Sequence, residues 1–166
     1  MRLEGLPQAG WRHAFLGLLV LLTLAGCHRS PKGQQAPDFT LNLLETPAKT
    51  ITLSQLFNEQ PVLLVFWATW CPTCVEEIPV LNAWAAQYAD QFRILAVNVS
   101  ESPEQVAQFR EKYPFVYPAA LDEHGEVAER YELVGLPVSL FLAKGGEILY
   151  YGFGLPADIE QFLAGH

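Results

Sequence analysis

The 166-residue chain has room for one domain plus an accessory segment, and not comfortably for two domains. Just over half of its residues are apolar (51 %), which excludes global disorder, and a formal net charge of −8 excludes nucleic acid as the main partner, because nothing would neutralise phosphates. Three cysteines, Cys27, Cys71 and Cys74, make an odd count that needs explaining.

The explanation starts at the N-terminus. Arg2, Arg12 and His13 precede the apolar run Ala14–Gly26, whose thirteen residues fit the core of a signal peptide. They fall short of the ~20 that a helix needs to cross a bilayer. The run ends in Leu24-Ala25-Gly26-Cys27, which resembles a bacterial lipobox. That resemblance implies cleavage before Cys27 and a diacylglycerol thioether on its thiol. Two other readings stay open: an ordinary signal peptide with a chance cysteine, and an uncleaved anchor extended through residues 11–13. Lipidation of Cys27 leaves one thiol pair. The organisation expected is a lipoprotein signal peptide over 1–26, a lipid-anchored flexible linker over 27–37, polar and with Pro and Gly, and a folded domain over 38–166.

Within the domain, Phe39-Thr40-Leu41 and Ile51-Thr52-Leu53 alternate and predict two short strands around a turn. Ser54 reads as the N-cap of a brief helical turn through Phe57. Pro61–Trp67 is a continuous apolar run, the pattern of a strand buried on both faces. After it, Val75, Ile78, Leu81, Ala85 and Tyr88 recur at helical spacing, with Pro72 suited to the first turn and Pro79 expected to kink the helix. Arg93–Val99 predicts a second buried strand. Ser102-Pro103-Glu104-Gln105 opens a helix with an N-cap, a first-turn Pro and a capping-box Gln. Phe115–Leu121 reads as a short strand and Glu126–Tyr131 as a short helix. Val138–Ala143 and Ile148–Phe153 flank Lys144-Gly145-Gly146-Glu147 as a hairpin, and a last helix carries Ile159, Phe162 and Leu163 on one face. The order predicts an α/β fold with a mixed central sheet covered by helices.

The chemistry sits in Trp70-Cys71-Pro72-Thr73-Cys74, where a buried strand turns into a helix. A thiolate is the nucleophile in disulfide exchange, and a free cysteine, with pKa near 8.5, is mostly protonated at neutral pH. Unpaired N–H groups at a helix N-terminus stabilise the negative charge, which favours the Cys71 thiolate. Two intervening residues put Cys74 one turn later on the same face, placed to resolve a mixed disulfide formed on Cys71. The expectation is an exposed attacking Cys71 and a buried resolving Cys74.

At these residues the chain resembles the thioredoxin superfamily, and within it the membrane-anchored branch of cytochrome c biogenesis proteins. The likeness runs from about Ala36 to the C-terminus. It rests on Ala36-Pro37-Asp38-Phe39 before the hairpin, Phe66-Trp67-Ala68-Thr69-Trp70-Cys71, Pro79 in the helix, and Val134-Gly135-Leu136-Pro137 before a strand. It implies a thioredoxin-like three-layer sandwich with an extra N-terminal β-hairpin, and a thiol-disulfide oxidoreductase that needs no bound cofactor. It implies a cis bond at Pro137 beside the thiols, with Leu136 and Pro137 meeting the substrate together with Trp70, Pro72 and Thr73. Thioredoxins that reduce cytoplasmic proteins carry a buried Asp where this chain has Val65. Glu77 matches an acidic residue that the cytochrome-maturation branch places near its thiols, for acid–base work on Cys74. The bland reading of Glu77, and the preferred one for Glu76, is a solvated helix face. Trp70 is assigned to the site rim and Trp67 to the core.

The partners implied are protein disulfides, such as the haem-attachment cysteines of apocytochrome c, an integral membrane thiol carrier as electron donor, and the membrane itself through the lipid anchor. The location implied is the extracytoplasmic face of the cell envelope. Rival readings lack residues. Zinc needs three or four ligands, and His28, His124 and His166 show no ligand spacing. Covalent haem attachment would need His where Val75 stands. A peroxiredoxin uses Thr where this chain has Cys71. A copper-handling protein of the same fold would depend on His124 or the terminal His166. Pro72-Thr73 leaves the direction of electron flow open, since similar dipeptides serve reductants and oxidants alike.

Overall fold

The apolar run after Pro61 becomes β3 (Val62–Trp67), an interior strand with all six residues buried. Leu63, Val65 and Trp67 enter one core cluster, and Val62, Leu64 and Phe66 enter a second. Successive strand side chains point to opposite faces, so a strand covered on both sides shows no polar alternation. The computed structural model describes residues 31–163. Cys27, His28, His166 and the expected signal peptide therefore lie outside the described residues.

The chain order is β1 (Thr40–Leu43), β2 (Thr50–Thr52), α1 (Leu53–Glu59), β3, α2 (Pro72–Gln87), β4 (Arg93–Val99), α3 (Pro103–Lys112), β5 (Ala119–Asp122), α4 (Glu126–Arg130), β6 (Val138–Leu142) and β7 (Ile148–Phe153). A 3₁₀ turn at Glu160–Phe162 follows. One seven-stranded sheet has the order β2-β1-β5-β4-β3-β6-β7. β3, β4 and β5 are parallel, while the β1–β2 hairpin, β6 and β7 add antiparallel pairs, so the sheet is mixed as expected. One face is covered by α2 and α3 through Cys74, Ile78, Leu81 and Val106. The other is covered by α1 and α4 through Leu53, Phe57 and Val127. These are the three layers.

Four local expectations are corrected. Ser54 is not a cap: α1 begins at Leu53 and Thr52 makes no side-chain cap bond. The Asp38 carboxylate caps it instead, with Oδ1 accepting the N–H groups of Phe39 and Ser54, both at 2.9 Å. β5 starts only at Ala119, because Pro114 and Pro118 interrupt the segment before it and remove two ladder donors. The last helix is reduced, among the described residues, to the 3₁₀ turn, whose Leu163 N–H bonds the Glu160 carbonyl.

The fourth correction concerns the tether. Residues 33–36 dock on the sheet: Gly33 N–H donates to the Ile148 carbonyl, Ile148 N–H to that of Gln34, and Ala36 N–H to that of Gly146. β7 is an edge strand with unpaired backbone groups, and this segment satisfies those at its start. Gly146, at φ +91°, permits the approach, since a Cβ there would lie 2.8 Å from the Phe57 ring. Where the sequence predicts it, the capping box of α3 forms, with Ser102 Oγ accepting from Gln105 N–H and Gln105 Oε1 from Ser102 N–H.

Candidate active site

β3 ends at Trp67, and the chain reverses through Ala68–Cys71, where Cys71 N–H donates to the Ala68 carbonyl at 3.2 Å. Cys71 is the N-cap of α2, in extended conformation, and Pro72 opens the first turn, where its missing N–H leaves nothing unsatisfied. The Cys71 sulfur accepts the Cys74 N–H at 3.3 Å. Cys71 and Cys74 are joined as a disulfide, with Cα atoms 5.3 Å apart. The helix terminus thus aims a donor at the Cys71 sulfur, an arrangement that favours negative charge there.

Expected to differ in exposure, the two cysteines are both enclosed in the disulfide, Cys71 at 3 % and Cys74 at 4 %. The capping geometry turns the Cys71 sulfur inward, and Trp70, 69 % exposed, occupies the rim instead. Pro72 and Thr73 are exposed on the first turn of α2.

Glu77 lies one turn beyond Cys74, half-buried, unlike its exposed neighbour Glu76. Its Oε1 accepts the Leu155 N–H at 3.1 Å, while Oε2 is buried with no partner. Desolvation pushes the Glu77 carboxyl above its usual range, against the smaller pull of the Leu155 hydrogen bond. Cys74, Glu77, Trp67, Val65, Ala96 and Tyr117 are among the residues that line one small cavity of about 10 Å³. That is close to the space one water occupies, and Trp67 Nε1 is a second buried polar atom there without a partner. Burial likewise holds the Tyr117 phenol well above its usual range, with the Glu77 charge adding to the effect. The region is therefore a small enclosed pocket beside Cys74, with one carboxylate facing into it.

The second loop of the site comes from β6. Phe66 pairs with Val138 in antiparallel register, which sets Pro137 level with Trp67, at the end of β3 from which Cys71 follows. The Leu136–Pro137 bond is cis, Pro137 is buried, and its carbonyl accepts the Gly154 N–H. Leu136 packs against both core clusters, Val134 and Phe153 are exposed, and the Phe153 ring lies 3.6 Å from the Cβ position of Gly135. The fold thus brings Trp70, Cys71, Cys74, Glu77, Leu136 and Pro137 to one end of the sheet.

The AhpC/TSA family matches residues 32–151, most of the chain. This chain belongs to the AhpC/TSA family. It is similar to the thioredoxin-like protein YneN of Bacillus subtilis, 34 % identical over 80 % of this chain and 78 % of that protein. It is also similar to the thiol-disulfide oxidoreductase ResA of Bacillus thuringiensis, 33 % identical over 79 % of this chain and 76 % of that one. Among solved structures, a thiol:disulfide interchange protein DsbE from Chlorobium tepidum matches with a TM-score of 0.69 and 30 % identity, covering 76 % of this chain and 87 % of that chain. With a CxxC disulfide at a helix N-terminus on a thioredoxin-like fold, the protein is a thiol-disulfide oxidoreductase.

Among the described residues of the oxidoreductase, no three His, Cys, Asp or Glu side chains gather to hold a metal, and His124 is exposed in the turn before α4. Glu101 escapes every pattern in the sequence, yet it is buried beneath the Ala68–Cys71 turn. The one signal for it is a carboxylate placed two residues after a strand whose central residues are buried.

Proposed function

We propose that the protein reduces specific protein disulfides on the extracytoplasmic side of a membrane to which lipidated Cys27 tethers it. Apocytochrome c, with its pair of haem-attachment cysteines, represents the substrate class, and an integral membrane thiol carrier restores the dithiol. The Cys71 thiolate attacks one sulfur of the target disulfide, forming a mixed disulfide and releasing the other target sulfur as a thiolate. Cys74 then loses its proton and attacks the Cys71 sulfur. The second target thiol leaves, and the Cys71–Cys74 disulfide forms; two electrons have passed to the target.

The observation that carries this reading is the Glu77 carboxylate in the cavity behind Cys74. A carboxyl that burial makes more basic than an ordinary one, beside Cys74, is suited to accept the Cys74 proton in the resolving step. Support for docking comes from Trp70, an exposed apolar side chain next to Cys71, and from the Leu136–Pro137 segment at the same end of the sheet, whose backbone offers a place for an extended substrate strand. The lipobox-like Leu24-Ala25-Gly26-Cys27 supports the anchor.

The test is the reduction potential of the Cys71–Cys74 couple on a fragment starting at His28, in graded thiol buffers. A value near or below about −250 mV supports a reductant, and one near about −120 mV turns the reading to disulfide formation. Absence of a reversible two-electron couple removes both.

A further inference from the structure

The turn that presents Cys71 rests on a buried carboxylate. Cys71 N–H closes the turn on the Ala68 carbonyl, which leaves both donors of Thr69 free of it. Glu101 takes both: Thr69 N–H donates to Oε2 at 2.7 Å and Thr69 Oγ1 donates to Oε1 at 2.5 Å. Asn98 Nδ2 donates to Oε2 at 2.7 Å. Glu101 is only 7 % exposed, and neither ion pair among the described residues involves it.

Taking a carboxylate out of water without a cation costs several kcal/mol unless hydrogen bonds compensate. Here the three hydrogen bonds from Thr69 and Asn98 are that compensation. The chain also strains to place it: Ser100, just before it, has φ +59°, and its N–H is held by the Asp122 carbonyl. Gly125 makes room for that conformation, since a Cβ there would stand 2.8 Å from Ser100 Oγ. A strained residue, a buried carboxylate with no cation beside it and two donors from a single turn residue converge on the four residues that end at Cys71.

We infer that Glu101 is a positioning residue for disulfide exchange. By gripping Thr69 at backbone and side chain it fixes the Ala68–Cys71 turn. The turn in turn sets the Cys71 sulfur on the Cys74 N–H and holds Trp70 out on the rim. Glu101 touches no sulfur and transfers no proton; it acts through Thr69.

The test uses the full-length protein, reduced, in detergent. The readout is the second-order rate of its oxidation by oxidised glutathione at 25 °C, with the thermal midpoint measured in parallel. Thr69→Val removes one donor and keeps the shape and the backbone bond; it is expected to react several-fold more slowly. Glu101→Gln keeps the shape but removes the charge and one of the two acceptor oxygens, which weakens the grip; it is expected to lose about tenfold or more, toward the ~10²-fold that a misplacement of ~1 Å costs. The double variant should be no slower than Glu101→Gln alone, because both changes cut one link. A carboxylate that only stabilises the fold would lower the midpoint and leave the rate of the folded protein unchanged. A wild-type rate in Thr69→Val overturns the inference, whether or not Glu101→Gln folds, and so does additive slowing in the double variant.

Discussion

Replacing Glu77 with Gln separates the stability of this fold from its chemistry. Burial lifts the Glu77 carboxyl above its ordinary 4.5, and the Leu155 N–H opposes that only in part. The folded protein therefore keeps this proton to higher pH than the unfolded chain does. Where the native state binds more protons, stability falls as pH rises, so wild-type stability should decline from pH 4.5 up through the raised native value and level off above it. Gln preserves the shape and still accepts the Leu155 N–H, with nothing to ionise. Below pH 4.5 the two proteins compare neutral group with neutral group and should match closely. At neutral pH the variant should be the more stable. Desolvation of a half-exposed carboxylate, set against one charged hydrogen bond, leaves a net on the order of 1 kcal/mol, equivalent to about 3–5 °C in melting temperature for a domain of this size. Thermal unfolding of both oxidised proteins from pH 4 to pH 8 reads it. If Glu77 also takes the Cys74 proton, the stabler variant should resolve mixed disulfides about 10²-fold more slowly. A stability difference that is flat with pH, or that favours wild type as pH rises, refutes the burial argument; an unchanged exchange rate refutes the role in proton transfer.

Cys74→Ser should accumulate covalent mixed disulfides with target proteins on non-reducing gels, and Cys71→Ser should not; trapping by Cys71→Ser would reverse the assigned roles. Trp70→Ala removes a 69 %-exposed side chain, so stability should stay within about 0.5 kcal/mol. Its rate with a small disulfide should also hold, while that with a protein disulfide falls about tenfold; equal rates with both would remove Trp70 from the docking rim. Asp38→Ala strips the Phe39 and Ser54 N–H groups of their shared acceptor and should cost about 1–2 kcal/mol by urea unfolding, with the exchange rate of the folded protein unaltered.

Much of the site is local in sequence and was legible there. A strand-to-helix junction, a Pro in the first helical turn and two cysteines three apart require only chain connectivity to put both sulfurs at a helix N-terminus. The covered strands β3 and β4 were legible for a related reason, since burial on both faces leaves an apolar run, unbroken in β3 and spanning Ile94–Val97 in β4. Docking of Gly33–Ala36 on β7 was not, because polar residues that pair through their backbone leave no mark in side-chain patterning. The enclosure of Cys71 likewise depends on which way a capping sulfur turns. Glu77 looked like either a solvated or a functional carboxylate until Leu155, 78 residues away, was seen to cover it. Glu101 shows the same limit: its partner Thr69 is 32 residues distant, and nothing in the spacing of either residue announces the other. Local order chose the reacting atoms, whereas their environment was decided by contacts between segments far apart in the chain. Desolvation and hydrogen-bond partners, which set the chemistry of a carboxylate, exist only once those segments have met.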